Sequence, residues 1–160
     1  MRKKCNRKVW LSHLTPLEHA KLKAGKLSDK EWDVQMKPVL SAIDRISRGD
    51  WNKEECWSPI FQCLNRIESS VKLHRIDGQQ FINNAVTVLK EVMRRWETKG
   101  VQALKADELI TLKEVVAAYG DLLKEMSRGQ FESVCNHATS NLTRILTQKK
   151  FKKINGMVFE

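Results

Sequence analysis

The sequence predicts an all-α fold: a single-domain bundle of five to six helices with basic arms at the N- and C-termini. Three observations predict it. Apolar residues recur at spacings of three and four through the central region, and no alternating strand pattern exceeds a few residues. Seven glycines and three prolines in 160 residues are too few for a turn-rich β architecture. The residues that start and stop helices fall between the apolar stripes. At this length one domain is expected, able to bury roughly 70% of the surface its unfolded form exposes.

Residues 1–14 lack helical periodicity and read as a basic N-terminal arm, 15–147 as the bundle, and 148–160 as a basic and apolar C-terminal segment. Thr15 and Glu18 form a capping box for the first helix. Pro16 suits its first position, where a missing N–H costs nothing, and Gly25 stops it. Ser28 and Glu31 repeat the capping box. The stripe Trp32, Met36, Leu40, Ile43 and Ile46 follows and ends at Gly49, with Pro38 expected to kink or divide the helix. Asn52 and Glu55 offer a third cap ahead of Trp57, Ile60, Leu64, Ile67 and Val71; Pro59 is early enough for that helix to begin at Ser58. Asp77-Gly78 breaks the chain. Phe81, Ile82, Ala85, Leu89, Val92, Met93 and Trp96 mark a fourth helix, closed by Gly100. The cleanest stripe is Leu109, Leu112, Val116, Tyr119, Leu123 and Met126, ended by Gly129. Phe131, Val134, Cys135, Ala138, Leu142 and Ile145 define the last. Ile46–Trp51 and Met126–Phe131 read as one stop motif used twice: Gly in the left-handed position, Arg facing the negative helix end, an aromatic covering the final turn.

Charge separates the bundle from its ends. Residues 1–30 carry a net +7 and residues 144–160 a net +4, whereas the 113 residues between carry −1. A neutral body with basic ends points to an anionic partner. Within the body, Glu54, Glu55, Asp107 and Glu108 fall in first turns, and Arg94, Arg95, Lys99, Lys124 and Arg128 in last turns, where helix dipoles favour them.

No enzyme is expected. No acid is paired with a base or nucleophile, and the phosphate loop, nucleophile elbow and dinucleotide fingerprint are all absent. Neither a metal nor a cofactor is expected: Cys5, His13, His19, Cys135 and His137 lack the spacing of paired ligands. Cys56 and Cys63 read as core thiols beside Ile60 and Ile67. Reduced cysteines without an export signal place the chain in the cytoplasm, and no apolar run is long enough to span a membrane.

Of the tryptophans, Trp32, Trp57 and Trp96 lie on core stripes, and Trp51 covers a helix stop. Trp10 stands among the cations of the arm, where it can stack on a base or anchor the arm to the bundle. In the C-terminal segment Phe151 interleaves with lysines. Beyond the Asn155-Gly156 turn signal, Met157, Val158 and Phe159 form an apolar tip, which can fold back on the bundle, pair with the N-terminal arm or dock into another chain.

Met1-Arg2-Lys3-Lys4, Ala24-Gly25-Lys26-Leu27-Ser28 leading to Met36-Lys37-Pro38, and Arg48-Gly49-Asp50-Trp51 resemble short basic proteins encoded in bacterial prophages and mobile elements; Leu112-Lys113-Glu114-Val115 and the Phe131-Glu132 helix also fit. The resemblance implies a genome context in which small non-enzymatic proteins bind host machinery such as polymerase, repressors or nucleic-acid-guided defence complexes. The expected partner is therefore nucleic acid or a nucleoprotein complex, contacted by Arg2, Lys3, Lys4, Arg7, Lys8, Trp10, Lys21, Lys23, Lys26, Lys149, Lys150, Lys152 and Lys153. The alternative is a protein-directed inhibitor or adaptor that docks through Phe151, Met157, Val158 and Phe159. A homodimer paired through the Leu109–Met126 stripe is a third expectation.

Overall fold

Ser28 and Glu31 show how directly local chemistry sets the helix starts. The Glu31 N–H donates to Ser28 Oγ at 3.3 Å, and the Ser28 N–H donates back to Glu31 Oε2 at 2.8 Å, which satisfies two donors at one helix end. The computed structural model describes residues 16–154, with side chains described for residue 17 and residues 20–145. They form α1 (Pro16–Ala24), α2 (Asp29–Ser47), a π-helical turn (Lys53–Trp57), α3 (Ser58–His74), α4 (Gln79–Lys99), α5 (Ala106–Glu125) and α6 (Arg128–Ile154). The protein is an all-α single-domain bundle, with no β-strand among the described residues.

Several boundaries fall where glycine and cap chemistry demand. Gly49 and Gly100 take φ of +89° and +64° behind α2 and α4, a region other residues enter only at a cost. Asn52 Oδ1 accepts from the Glu54 and Glu55 N–H groups at 2.9 and 3.1 Å, but the turn it caps is the π-helical one; α3 proper starts at Ser58. Pro38 does not divide α2. Pro38 and Val34, whose carbonyl loses its helical donor, both lie on the exposed face, where water can replace the missing bond.

α3 is the central element, packing against α2, α4, α5, α6 and the π-helical turn. The core gathers Met36, Ile46, Trp57, Ile60, Leu64, Ile82, Leu89, Leu112, Val116, Tyr119 and Leu123. Trp51 belongs to it as well, rather than merely covering a helix end: its ring centroid lies 5.0 Å from that of Trp57 and 5.6 Å from that of Trp96. Of the α5 stripe expected to pair across a two-fold axis, Leu112, Val116, Tyr119 and Leu123 are buried in this core and Leu109 partly so.

The second copy of the supposed stop motif is a helix start. Met126 is extended, and Ser127 and Gln130 exchange backbone-to-side-chain hydrogen bonds at 2.9 and 3.2 Å, the reciprocal pattern of a capping box. Gly129 therefore lies in the first turn of α6, and Arg128 is not in the last turn of α5. Arg128 donates instead to Glu31, at 2.9 and 2.8 Å, and joins the starts of α2 and α6. α6 also passes the boundary expected at residue 148. Between Gln130 and Ile154 no Gly or Pro interrupts it, and Asn155-Gly156 is the next stop signal.

The Arg128 and Ser28 hydrogen bonds hold the Glu31 carboxyl at about 2, against an ordinary 4.5. A folded-state value below the unfolded one contributes stability that is complete above pH 4.5 and lost as pH falls toward 2. Urea midpoints measured from pH 7 to pH 2 should therefore fall less for Glu31→Gln than for the unaltered protein. Parallel declines would show that Glu31 carries none of the acid sensitivity.

Candidate functional site

The basic ends were the expected site, and the structure divides them. Arg2, Lys3, Lys4, Arg7, Lys8 and Trp10 lie outside the described residues, as do Met157, Val158 and Phe159. Lys21 is exposed on α1. Lys23 Nζ lies 3.1 Å from Glu132 and Lys26 Nζ 3.4 Å from Glu125, so both face carboxylates of the bundle. These exposed pairs are weak, yet they offset part of the charge available to an outside anion.

Lys149, Lys150, Phe151, Lys152 and Lys153 are part of α6. At about 100° per residue, positions 149, 150, 152 and 153 share an arc of about 160°, with 151 and 154 on the remaining face. From Ser133 to Ile154 α6 contains no acid. α1 packs on α6, and the Arg128 N–H donates to the Gly25 carbonyl at 2.9 Å where the two helices meet. α1, with Lys21 and Lys23, and α6, with the lysines at 149–153, thus form one packed helix pair.

A groove of about 440 Å³ lies between α3 and α6, lined by Phe61, Asn65 and Arg66 on one side and Ala138, Leu142 and Ile145 on the other. Among the described residues no carboxylate lines it. The helices are joined beneath it: Asn65 Nδ2 donates to the Ala138 carbonyl at 3.2 Å, and Ser69 Oγ meets His137 Nδ1 at 3.0 Å. Leu142 and Ile145, read from their spacing as core, are 52% and 45% exposed, and Phe61 is 42% exposed. Ser58, the first residue of α3, lines the groove together with Ile145, so α3 begins where α6 still has nine residues to run.

Among the described residues Arg66 is the one cation of the groove lining. Its Nη1 donates to Tyr119 Oη at 2.6 Å and to Gln35 Oε1 at 2.9 Å, and its guanidinium lies 5.6 Å from the centroid of Phe131. Both acceptors are neutral, and among the described residues it forms no ion pair. Nothing in the sequence marks it, because a lone Arg beside an apolar stripe resembles any solvated charge.

The three described thiols, Cys56, Cys63 and Cys135, are not poised for nucleophilic work. Burial pushes Cys63 up to about 12 and raises Cys56 and Cys135 as well, so all three are protonated near neutral pH. Ser69 and His137 form a helix–helix hydrogen bond, with Ser69 buried and no carboxylate bonded to the ring. Among the described residues no cluster of His, Cys, Asp or Glu could hold a metal, and no helix is long and apolar enough to cross a membrane.

Comparison of the chain with protein-family models, with curated proteins and with solved structures found no match in any of the three.

Proposed function

We propose that this is a non-catalytic accessory protein of a phage or mobile element that binds nucleic acid, or a host nucleoprotein complex, through its basic ends. The supporting observation is α6: helical to Ile154, free of acid from residue 133, with lysines at 149, 150, 152 and 153 in one arc. A helix spaces such cations regularly along a backbone of phosphates, which a loose tail does not. α1, which leads back to the basic residues 2–8, packs on the same helix and can add its charge to the same face.

Fluorescence anisotropy with labelled 20-residue duplex and single-stranded oligonucleotides tests this. If the four lysines each neutralise a phosphate, duplex affinity should fall roughly 100-fold between 50 and 200 mM salt. Reversing them together (Lys149→Glu, Lys150→Glu, Lys152→Glu and Lys153→Glu) should flatten that dependence and weaken binding at low salt. Tight binding that ignores salt, or no binding at low salt, overturns the reading.

A further inference from the structure

A guanidinium built into a bundle normally meets a carboxylate, because a half-buried cation without a counter-charge is costly. Arg95, Arg45 and Arg128 each do so here. Arg66 does not. Tyr119 and Gln35 fix its Nη1, the Phe131 ring lies against it, and its Nε and Nη2 have no partner among the described residues. A guanidinium held along one edge, with donors left on the other, is arranged to receive a planar anion. Along the groove it lines, Phe61, Leu142 and Ile145 expose aliphatic and aromatic surface beside the neutral polar Gln62, Asn65 and Thr139.

From this pairing we propose that the α3/α6 groove docks an acidic amphipathic helical segment of a partner protein. One Asp or Glu of that segment would bind Arg66, and bulky apolar residues a turn away would cover Phe61, Leu142 and Ile145. Charge complementarity selects this occupant over the others. Among the described residues the groove lining holds one cation and no acid, so a phosphate polymer finds a single ionic contact there. Val9-Trp10-Leu11 of the N-terminal arm is flanked by Arg7 and Lys8, which would bring positive charge to a positive groove. Glu160 of the same chain can reach the Ile145 end of the groove but falls short of the Arg66 end, which lies beside Ala138 and Phe131. The six residues after Ile154 span at most about 21 Å, whereas a helix rising about 1.5 Å per residue sets Ala138 about 24 Å back along α6. The inference is independent of the nucleic-acid reading and uses different residues.

The test pans a randomised library of 12-residue peptides on the full-length protein, then measures selected peptides by anisotropy. Enriched sequences should place Asp or Glu within one helical turn of Leu, Ile or Phe. Their affinity should drop at least tenfold on Leu142→Glu and on Ile145→Glu, exposed positions at which thermal melts by circular dichroism should not change. Arg66→Gln should cost the acidic peptides a similar factor, while versions with Gln in place of the acid should lose little more on that variant. Three results overturn the proposal: no enrichment, enrichment without acids, or acidic peptides that bind the Leu142 and Ile145 variants unchanged. Displacement of the peptides by a 15-residue oligothymidine whose own binding falls with Leu142→Glu also overturns it, and makes the groove a nucleic-acid site.

Discussion

Arg95→Met is expected to destabilise the fold by stranding the Glu108 carboxylate. Arg95 Nη1 and Nη2 each donate to Glu108 at 2.6 Å, and the Lys105 N–H adds a third bond at 2.8 Å. The pair ties the last turn of α4 to the first turn of α5. Glu108 is 4% exposed, and the Arg95 guanidinium beside it holds its carboxyl below the usual carboxylate range. Removing one partner of a buried pair costs about 3–5 kcal/mol, and the position at a helix end, where water can enter, puts Glu108 at the lower limit, about 3 kcal/mol. Replacing both partners removes the stranded charge, so Arg95→Met with Glu108→Met should recover most of the loss. Urea unfolding of the three variants measures this. A double variant no better than Arg95→Met would show that packing, and not the unpaired carboxylate, sets the cost. The low carboxyl value also sets the pH dependence: the pair's contribution is present above the unfolded glutamate range and lost as pH falls through the lower folded one.

Trp57→Ala should be as damaging for a different reason. Trp57 is 2% exposed at the junction of the π-helical turn and α3, stacked at a tilt against Trp51, which in turn meets Trp96 edge-on. Emptying a fully buried indole site costs about 3–5 kcal/mol, from lost transfer energy and from the cavity left behind. Trp57→Phe should cost far less than its lost volume suggests. The buried Nε1 has no hydrogen-bond partner among the described residues, so phenylalanine also removes an unsatisfied donor. Equal losses for Ala and Phe, read from denaturant midpoints, would contradict this account.

Helix existence was legible because each stripe is long and each cap local. Ser28 with Glu31, Pro16, Gly49 and Gly100 all act within four residues of themselves, and such signals do not depend on tertiary partners. The errors came where a short motif has two local uses. Ser-Arg-Gly-Asp ends a helix and Ser-Arg-Gly-Gln begins one, and the glutamine that closes the capping box decides between them. Burial was less legible than periodicity. Leu40, Leu142 and Ile145 keep the helical spacing yet remain exposed, because whether a stripe is covered depends on where the neighbouring helix starts. The groove was missed for the same reason: its walls looked like core. Arg66 was passed over because its lack of a carboxylate appears only when every partner is placed. The acid-free run beginning at Ser133, by contrast, stood in the sequence.

Glu31 ties two helix starts to one carboxyl. The same two oxygens close the cap of α2 and grip Arg128 at the root of α6, beside the junction with α1. One proton therefore unfastens two helix starts together, beside Gly25 at the C-terminal end of α1. The Arg95–Glu108 clasp shares no residue with that junction, so acid acts on the bundle at two separate places.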